Sequence, residues 1–379
     1  MKIHSRQHMP EPNTIPLSAL RENERKENNM RYPKHLPEHG TIGFLAPSFG
    51  CNTEPYYSAF RHAAEIFHGL GYRMVFGPNC YAGEGVGISN TPEKCGREVM
   101  DSFLSRESDC LISCGGGELM CEILPHVDFA ELAAADPKWF MGYSDNTNLT
   151  FLLATLADTA SVYGPCAQTF GMEPWHTSLH DAFGILTGKN LQNCLVTVAG
   201  YDLWEKESLK SPENPLAPYH VTQPRKIRCF QGRKETSSPP GFHGRLLGGC
   251  LDCLVNLTGT RFDKTAEFAR RYQEDGIIWF LEACDLNVFS IRRALWQMKE
   301  AGWLEHAKGF LIGRPANGTP MMNLDAYDAV LETAGRSHVP VIMDVDLGHL
   351  PPMMPLITGS LAQVSVRGND ISVEMRLVP

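Results

Sequence analysis

Between Thr41 and Leu156 the chain alternates short apolar runs with stretches of helical period, and that alternation restricts the fold more than any other feature. Thr41-Ile-Gly-Phe-Leu-Ala46 is an apolar run closed by Pro47-Ser48-Phe49-Gly50, which reads as a buried strand followed by a loop. Tyr57, Phe60, Ala64, Phe67 and Leu70 then recur at helical spacing until Gly71 stops them. Arg73 to Phe76, Cys110 to Ser113 and Trp139 to Tyr143 read as further strands. Thr91-Pro92-Glu93 opens a helix with a threonine cap and a proline at its first position, and Asn146 to Leu156 forms another. Strands and helices in this order predict an α/β half: a parallel sheet covered by helices, with active groups beyond the carboxyl ends of its strands.

The remainder is organised differently. Residues 166–240 carry Pro212, Pro215, Pro218, Pro224, Pro239 and Pro240 and show little clean periodicity. They are expected to form a packed connection between lobes, with some helix and strand of their own. Beyond it, Leu246 to Leu257 is expected as a helix packed through small residues. Ile277 to Leu281, Phe310 to Ile312 and Val339 to Met343 read as strands. Val288, Ile291, Leu295 and Met298 give one helix and Leu324 to Ala334 another, while Ala362-Val364-Val366 and Ile371-Val373-Met375 alternate around Gly368-Asn369-Asp370 as a hairpin. The expected organisation is an extension over 1–38, an α/β domain over 39–165, the connection over 166–240 and a second domain over 241–379.

Composition removes several function classes. Thirty-four basic against 43 acidic residues leave a net charge of −9, which argues against a nucleic-acid polymer as partner. No run approaches the 18 or so apolar residues of a membrane span, so no membrane partner is expected. The polar first 35 residues lack the apolar core of a secretory signal. The 12 cysteines are irregularly spaced, as in reduced thiols of a cytoplasmic enzyme. Cys250 and Cys253 are the tempting metal pair. No second pair or histidine set follows at ligand spacing, so no metal is expected there.

The chemistry-bearing candidates stand at strand ends. In Phe140-Met-Gly-Tyr-Ser-Asp-Asn-Thr-Asn148 a strand gives way to a helix almost without spacer. Ser144 would then sit on a sharp turn, with backbone N–H groups just behind it able to face an oxyanion. Gly-x-Ser-x-Gly is not satisfied, because Asn146 replaces the last glycine, and a plain N-cap is the alternative for Ser144 or Asp145. Gly115-Gly116-Gly117 follows another strand: an oxyanion turn, a phosphate loop lacking its motif, or a merely tight turn. Glu282 directly follows five apolar residues and needs a partner, either as a structural acceptor or to orient a histidine. Asp285 is placed to cap the helix that follows. His349, between Gly348 and Pro351-Pro352, is held as a general base should be.

Taken together, these blocks resemble the LD-carboxypeptidases, a family that includes the microcin C immunity proteins. The resemblance rests on Thr41-Ile-Gly-Phe-Leu-Ala-Pro-Ser48, Ser113-Cys-Gly-Gly116 with Leu124-Pro125 and Asp128, Gly142-Tyr-Ser-Asp145, Gly244-Arg-Leu-Leu-Gly-Gly249, Phe280-Leu-Glu282 and Gly348-His349. It implies a Rossmann-like N-terminal lobe and a C-terminal lobe with a small β-rich core. It also implies a Ser144–Glu282–His349 triad, an oxyanion hole from the N–H groups of Gly116 and Asp145, no cofactor, and a homodimer. Gly117-Glu118 after Gly115-Gly116, and the long connection bearing Trp175 and Trp204, look more like the immunity branch, in which Trp204 would stack on a nucleobase. The expected activity is hydrolysis of an amide bond in an L,D-linked muropeptide or a peptidyl- or aminoacyl-nucleotide, through an acyl-enzyme. A non-catalytic nucleotide- or peptide-binding protein on the same fold is the alternative.

Overall fold

The computed structural model describes residues 30–237 and 239–377. The first sheet contains β1 (Thr41–Leu45), β2 (Arg73–Phe76), β3 (Cys110–Ser113), β4 (Trp139–Gly142) and β5 (Ser161–Tyr163). They pair in parallel in the order β2-β1-β3-β4-β5. Helices α1 (Tyr56–Gly69), α2 (Pro92–Leu104), α3 (Phe129–Ala134) and α4 (Thr147–Ala157) supply the crossovers. The Thr91 side chain caps α2 and Pro92 occupies its first turn, as the sequence predicts. β1, β3 and β4 are buried at every position, so both faces of the central sheet are covered.

Of the expected N-terminal extension, residues 1–29 lie outside those described. Residues 30–38 pack on the body. Met30 and Leu36 are buried, and the Arg31 guanidinium donates to Ala135 O at 2.8 Å and to Thr159 Oγ1 at 2.5 Å.

The stretch expected as a connection is more deeply built in than its composition suggests. It holds α5 (Thr177–Thr187), β6 (Leu191–Gln192), β7 (Leu195–Ala199), a ribbon of β8 (Leu203–Glu205) and β9 (Val221–Pro224), then β10 (Arg228–Gln231) and β11 (Lys234–Glu235). β6 and β7 form one edge of the second sheet, and β10 and β11 form the other. Between them lie β12 (Phe242–Cys250), β13 (Ile277–Glu282), β14 (Ala307–Gly313) and β15 (Pro340–Val345), all parallel, with the antiparallel hairpin β17 (Leu361–Arg367) and β18 (Asp370–Arg376) completing ten strands. Helices α6 (Leu251–Leu257), α7 (Thr265–Arg271), α8 (Val288–Glu300) and α9 (Ala326–Leu331) cover this sheet.

Two expectations need correction. Residues 246–250 are strand, not helix: they form the C-terminal half of β12 and pair with β13, while residues 242–245 of the same strand pair with β17. Small residues there serve close strand packing, since a Cβ on Gly248 would stand 1.8 Å from the Phe280 carbonyl oxygen. Helix α8 is capped by Asn287, whose side chain accepts from the N–H groups of Phe289 and Ser290, rather than by Asp285.

The two sheets are stitched together. After β15 and the His349 loop, the chain returns to the first sheet as β16 (Leu356–Thr358), antiparallel to β5. Thr147 Oγ1, at the start of α4, accepts from the Cys250 N–H at 2.9 Å. The site lies along this seam.

Candidate active site

Ser144 sits where β4 ends, and its φ of +61° puts a non-glycine residue in left-handed backbone. Such conformations cost on the order of 1–3 kcal/mol and persist only when the surroundings enforce them. Here the enforcement is visible. A Cβ on Gly142 would touch the Asn146 side chain at 2.9 Å, so the turn is tight. Asn146 Nδ2 donates to Gly115 O at 2.8 Å and to Tyr143 O at 3.0 Å. The asparagine that breaks the glycine motif therefore ties the Ser144 turn to the glycine loop. Gly116 of that loop lies against Ser144, and a Cβ there would stand 3.2 Å from Oγ.

The sequence points to the Asp145 backbone N–H, yet its buried side chain also fastens three segments. Its carboxylate accepts from Ser48 Oγ at 2.5 Å, Met120 N at 2.9 Å and Asn148 Nδ2 at 3.1 Å. Burial pushes its pKa up to about 6, against the pull of the hydrogen bonds from Ser48 and Met120.

Glu282 closes β13 and is 2% exposed. His349 follows β15. Its Nδ1 lies 2.9 Å from Glu282 Oε2, and its Nε2 lies 2.8 Å from Ser144 Oγ. The other carboxylate oxygen accepts from the Tyr163 hydroxyl at 2.6 Å, and that hydroxyl in turn accepts from the Ser144 N–H at 3.3 Å. Gly348, at φ +91°, lets the loop close over the carboxylate, since a Cβ there would stand 2.4 Å from Glu282 Oε2.

Burial by itself would lower the His349 pKa. The Glu282 carboxylate, with the Cys284 thiol beside the ring, outweighs it and raises the pKa above the ordinary histidine value. An imidazole that bridges a buried carboxylate and a serine hydroxyl takes the hydroxyl proton as Oγ attacks, and the carboxylate stabilises the resulting imidazolium.

The structure thus brings Ser144, Glu282 and His349 together, with Gly116 and Asp145 beside them. It does not bring Trp204 to them. The Trp204 ring lies over the Arg314 guanidinium, 4.9 Å from centroid to carbon, and Arg314 is itself held by Asp346 at 2.6 Å. Successive residues of a strand face opposite sides, so it is Glu205, not Trp204, that faces the cavity beside His349. That cavity, of about 280 Å³, is also lined by Tyr143, Gln168, Lys210 and Tyr219. Among the described residues no cluster of three or more histidine, cysteine or carboxylate side chains is arranged to hold a metal, and no helix is long and apolar enough to cross a membrane.

Sequence reasoning missed Tyr163, Ser48, Cys284 and Lys210. A tyrosine on a short buried strand reads as core, and nothing local shows that its hydroxyl reaches Glu282 across 119 positions. Removing that hydroxyl in Tyr163→Phe leaves a buried carboxylate oxygen without its donor. We expect a loss of about 1–3 kcal/mol in urea unfolding, together with reduced turnover.

A serine, an imidazole and a buried carboxylate in this order define the serine hydrolases that work by acyl transfer. The chain belongs to the LD-carboxypeptidase family: residues 42–164 match the model of its N-terminal domain and residues 243–364 that of its C-terminal domain. It is 23% identical to the microcin C7 self-immunity protein MccF of Escherichia coli over 88% of this chain and 92% of that protein. It is 24% identical to a probable murein peptide carboxypeptidase of Bacillus subtilis over 90% and 94% respectively. A solved structure of MccF in complex with aspartyl sulfamoyl adenosine shares the fold, with a TM-score of 0.75 at 21% identity over 92% of this chain and 99% of that one.

Proposed function

We propose that the protein is a serine peptidase or amidase in which Ser144 is the nucleophile, His349 the base and then the acid, and Glu282 the group that orients and charges the imidazole. The observation that carries the assignment is the unbroken line from Ser144 Oγ through both His349 nitrogens to Glu282, at 2.8 and 2.9 Å. Oγ attacks the amide carbonyl carbon as its proton passes to His349 Nε2. The N–H groups of Gly116 and Asp145 receive the oxyanion. The intermediate collapses when His349 returns the proton to the leaving amine, giving an acyl-enzyme and a free amine. Water then repeats the sequence, releasing the acid and restoring Ser144.

The substrate is a small peptide-like molecule, an L,D-linked muropeptide or an aminoacyl- or peptidyl-nucleotide. The names of the relatives support both classes, and a cavity of about 280 Å³ suits a single residue rather than a folded chain. The family resemblance also supports a homodimer acting in the cytoplasm, and light scattering at twice the chain mass would bear on the first point.

A serine-directed phosphonate should form one adduct, on Ser144. A mass-spectrometric screen setting L,D-linked muropeptides against aminoacyl-sulfamoyl and aminoacyl-phosphate nucleosides should find turnover that Ser144→Ala lacks. Folded protein that neither takes the label at Ser144 nor hydrolyses either class would overturn the reading in favour of a binding protein.

A further inference from the structure

Lys210 is a cation half-sunk in the wall of the same cavity that His349 lines. Its Nζ donates to Gln168 Oε1 at 2.6 Å and lies 5.7 Å from the centre of the Tyr56 ring. An ammonium carries three donors, and here one is used on a neutral amide. Among the described residues Lys210 makes no ion pair. The buried carboxylate of Glu205, in the same lining, supports the lysine's charge through space, but it accepts from the His220 N–H and makes no ion pair with Nζ. A cation drawn partly out of water with its counter-charge out of contact keeps donors that an anion can complete. Burial lowers the Lys210 pKa to about 8, so the side chain remains largely charged at neutral pH.

Removed from water, carrying a positive charge and free donors, and sharing a wall with the proposed base, this group is placed to read substrate. We propose that Lys210 is a specificity-determining residue that binds a free carboxylate of the substrate within about one residue of the scissile amide. The inference rests on the hydrolase reading above and adds to it a substrate feature: an anionic, amino-acid-like group in place of a neutral one. The aromatic walls of Tyr143 and Tyr219 confine that residue. A charge-assisted hydrogen bond in such surroundings is worth considerably more than a neutral one.

The experiment uses L,D-linked peptides in which each carboxylate near the scissile bond is converted, one at a time, to the carboxamide. kcat/KM is measured on wild type, Lys210→Met and Lys210→Arg. In wild type, one acid-to-amide change should lower kcat/KM by about 10- to 100-fold. Lys210→Met should lose that preference, mostly through KM, while Lys210→Arg keeps part of it. An acid preference that survives intact in Lys210→Met overturns the proposal. If wild type hydrolyses none of these peptides, the hydrolase reading fails on that substrate class. The lysine is then tested by calorimetric binding of the same acid and amide pair, and equal affinities of wild type for the two overturn it.

Discussion

Replacing Ser144 with alanine lowers kcat/KM by about 10⁴- to 10⁶-fold in a protein that remains folded. The scale follows from removing the one atom that forms the covalent bond, while the oxyanion donors and substrate contacts remain to give a residual rate. The same position carries a second, opposite signature. Its φ of +61° is a conformation that side chains disfavour and glycine accepts. Ser144→Gly should therefore be more stable than Ser144→Ala, by about 1 kcal/mol in denaturant unfolding, although both are inactive. A residue whose most stable replacement abolishes the reaction is held there by chemistry rather than by packing. Equal stability of the two variants would show that the turn is not strained, and an active Ser144→Ala would remove the mechanism.

Glu282→Gln should cost about 10³- to 10⁴-fold in kcat/KM, the scale on which an amide replaces the orienting carboxylate of such a triad. The change is nearly isosteric, so the Tyr163 hydroxyl and the His349 ring keep a neighbour of the same shape. What is lost is charge. Glu282 raises the His349 pKa above the ordinary value near 6.5. As base, the imidazole must be neutral, so the acidic limb of the kcat/KM profile in wild type should lie above that value. Without the carboxylate the imidazolium loses its main support, and the limb of the residual activity should move to lower pH. A limb that stays in place would mean that another group, such as the Cys284 thiol beside the ring, sets the titration.

These expectations differ in how far they could be reached without coordinates. The strands and helices of the first half were legible because each is a local pattern: apolar runs closed by turn residues, and a threonine and proline opening α2. Ser144, Glu282 and His349 stood out for a related reason, since each ends a strand or follows one, where a parallel sheet presents its functional groups. The glycines of β12 are ambiguous in the sequence because small residues pack equally well in a helix and in a central strand, and only the approach of Phe280 decides between them.

Residues 166–240 yielded least. Their prolines and short strands carry little periodicity of their own; β7 and β10 become strands because β18 and β15, from the far end of the chain, are there to pair with them, and β6 and β11 pair in turn on β7 and β10. The sequence by itself determined the class of the first lobe, the order of the candidate site residues and the family. Only the tertiary structure decided that Ser144 and His349, 205 positions apart, share a hydrogen bond, that Tyr163 completes the buried carboxylate, and that Trp204 stacks on Arg314 while Lys210 lines the cavity. The physical reason is the range of the forces concerned. Turn chemistry and hydrophobic period act over a few residues and are written in the chain. Hydrogen bonds across the seam between two sheets exist only once both sheets have formed.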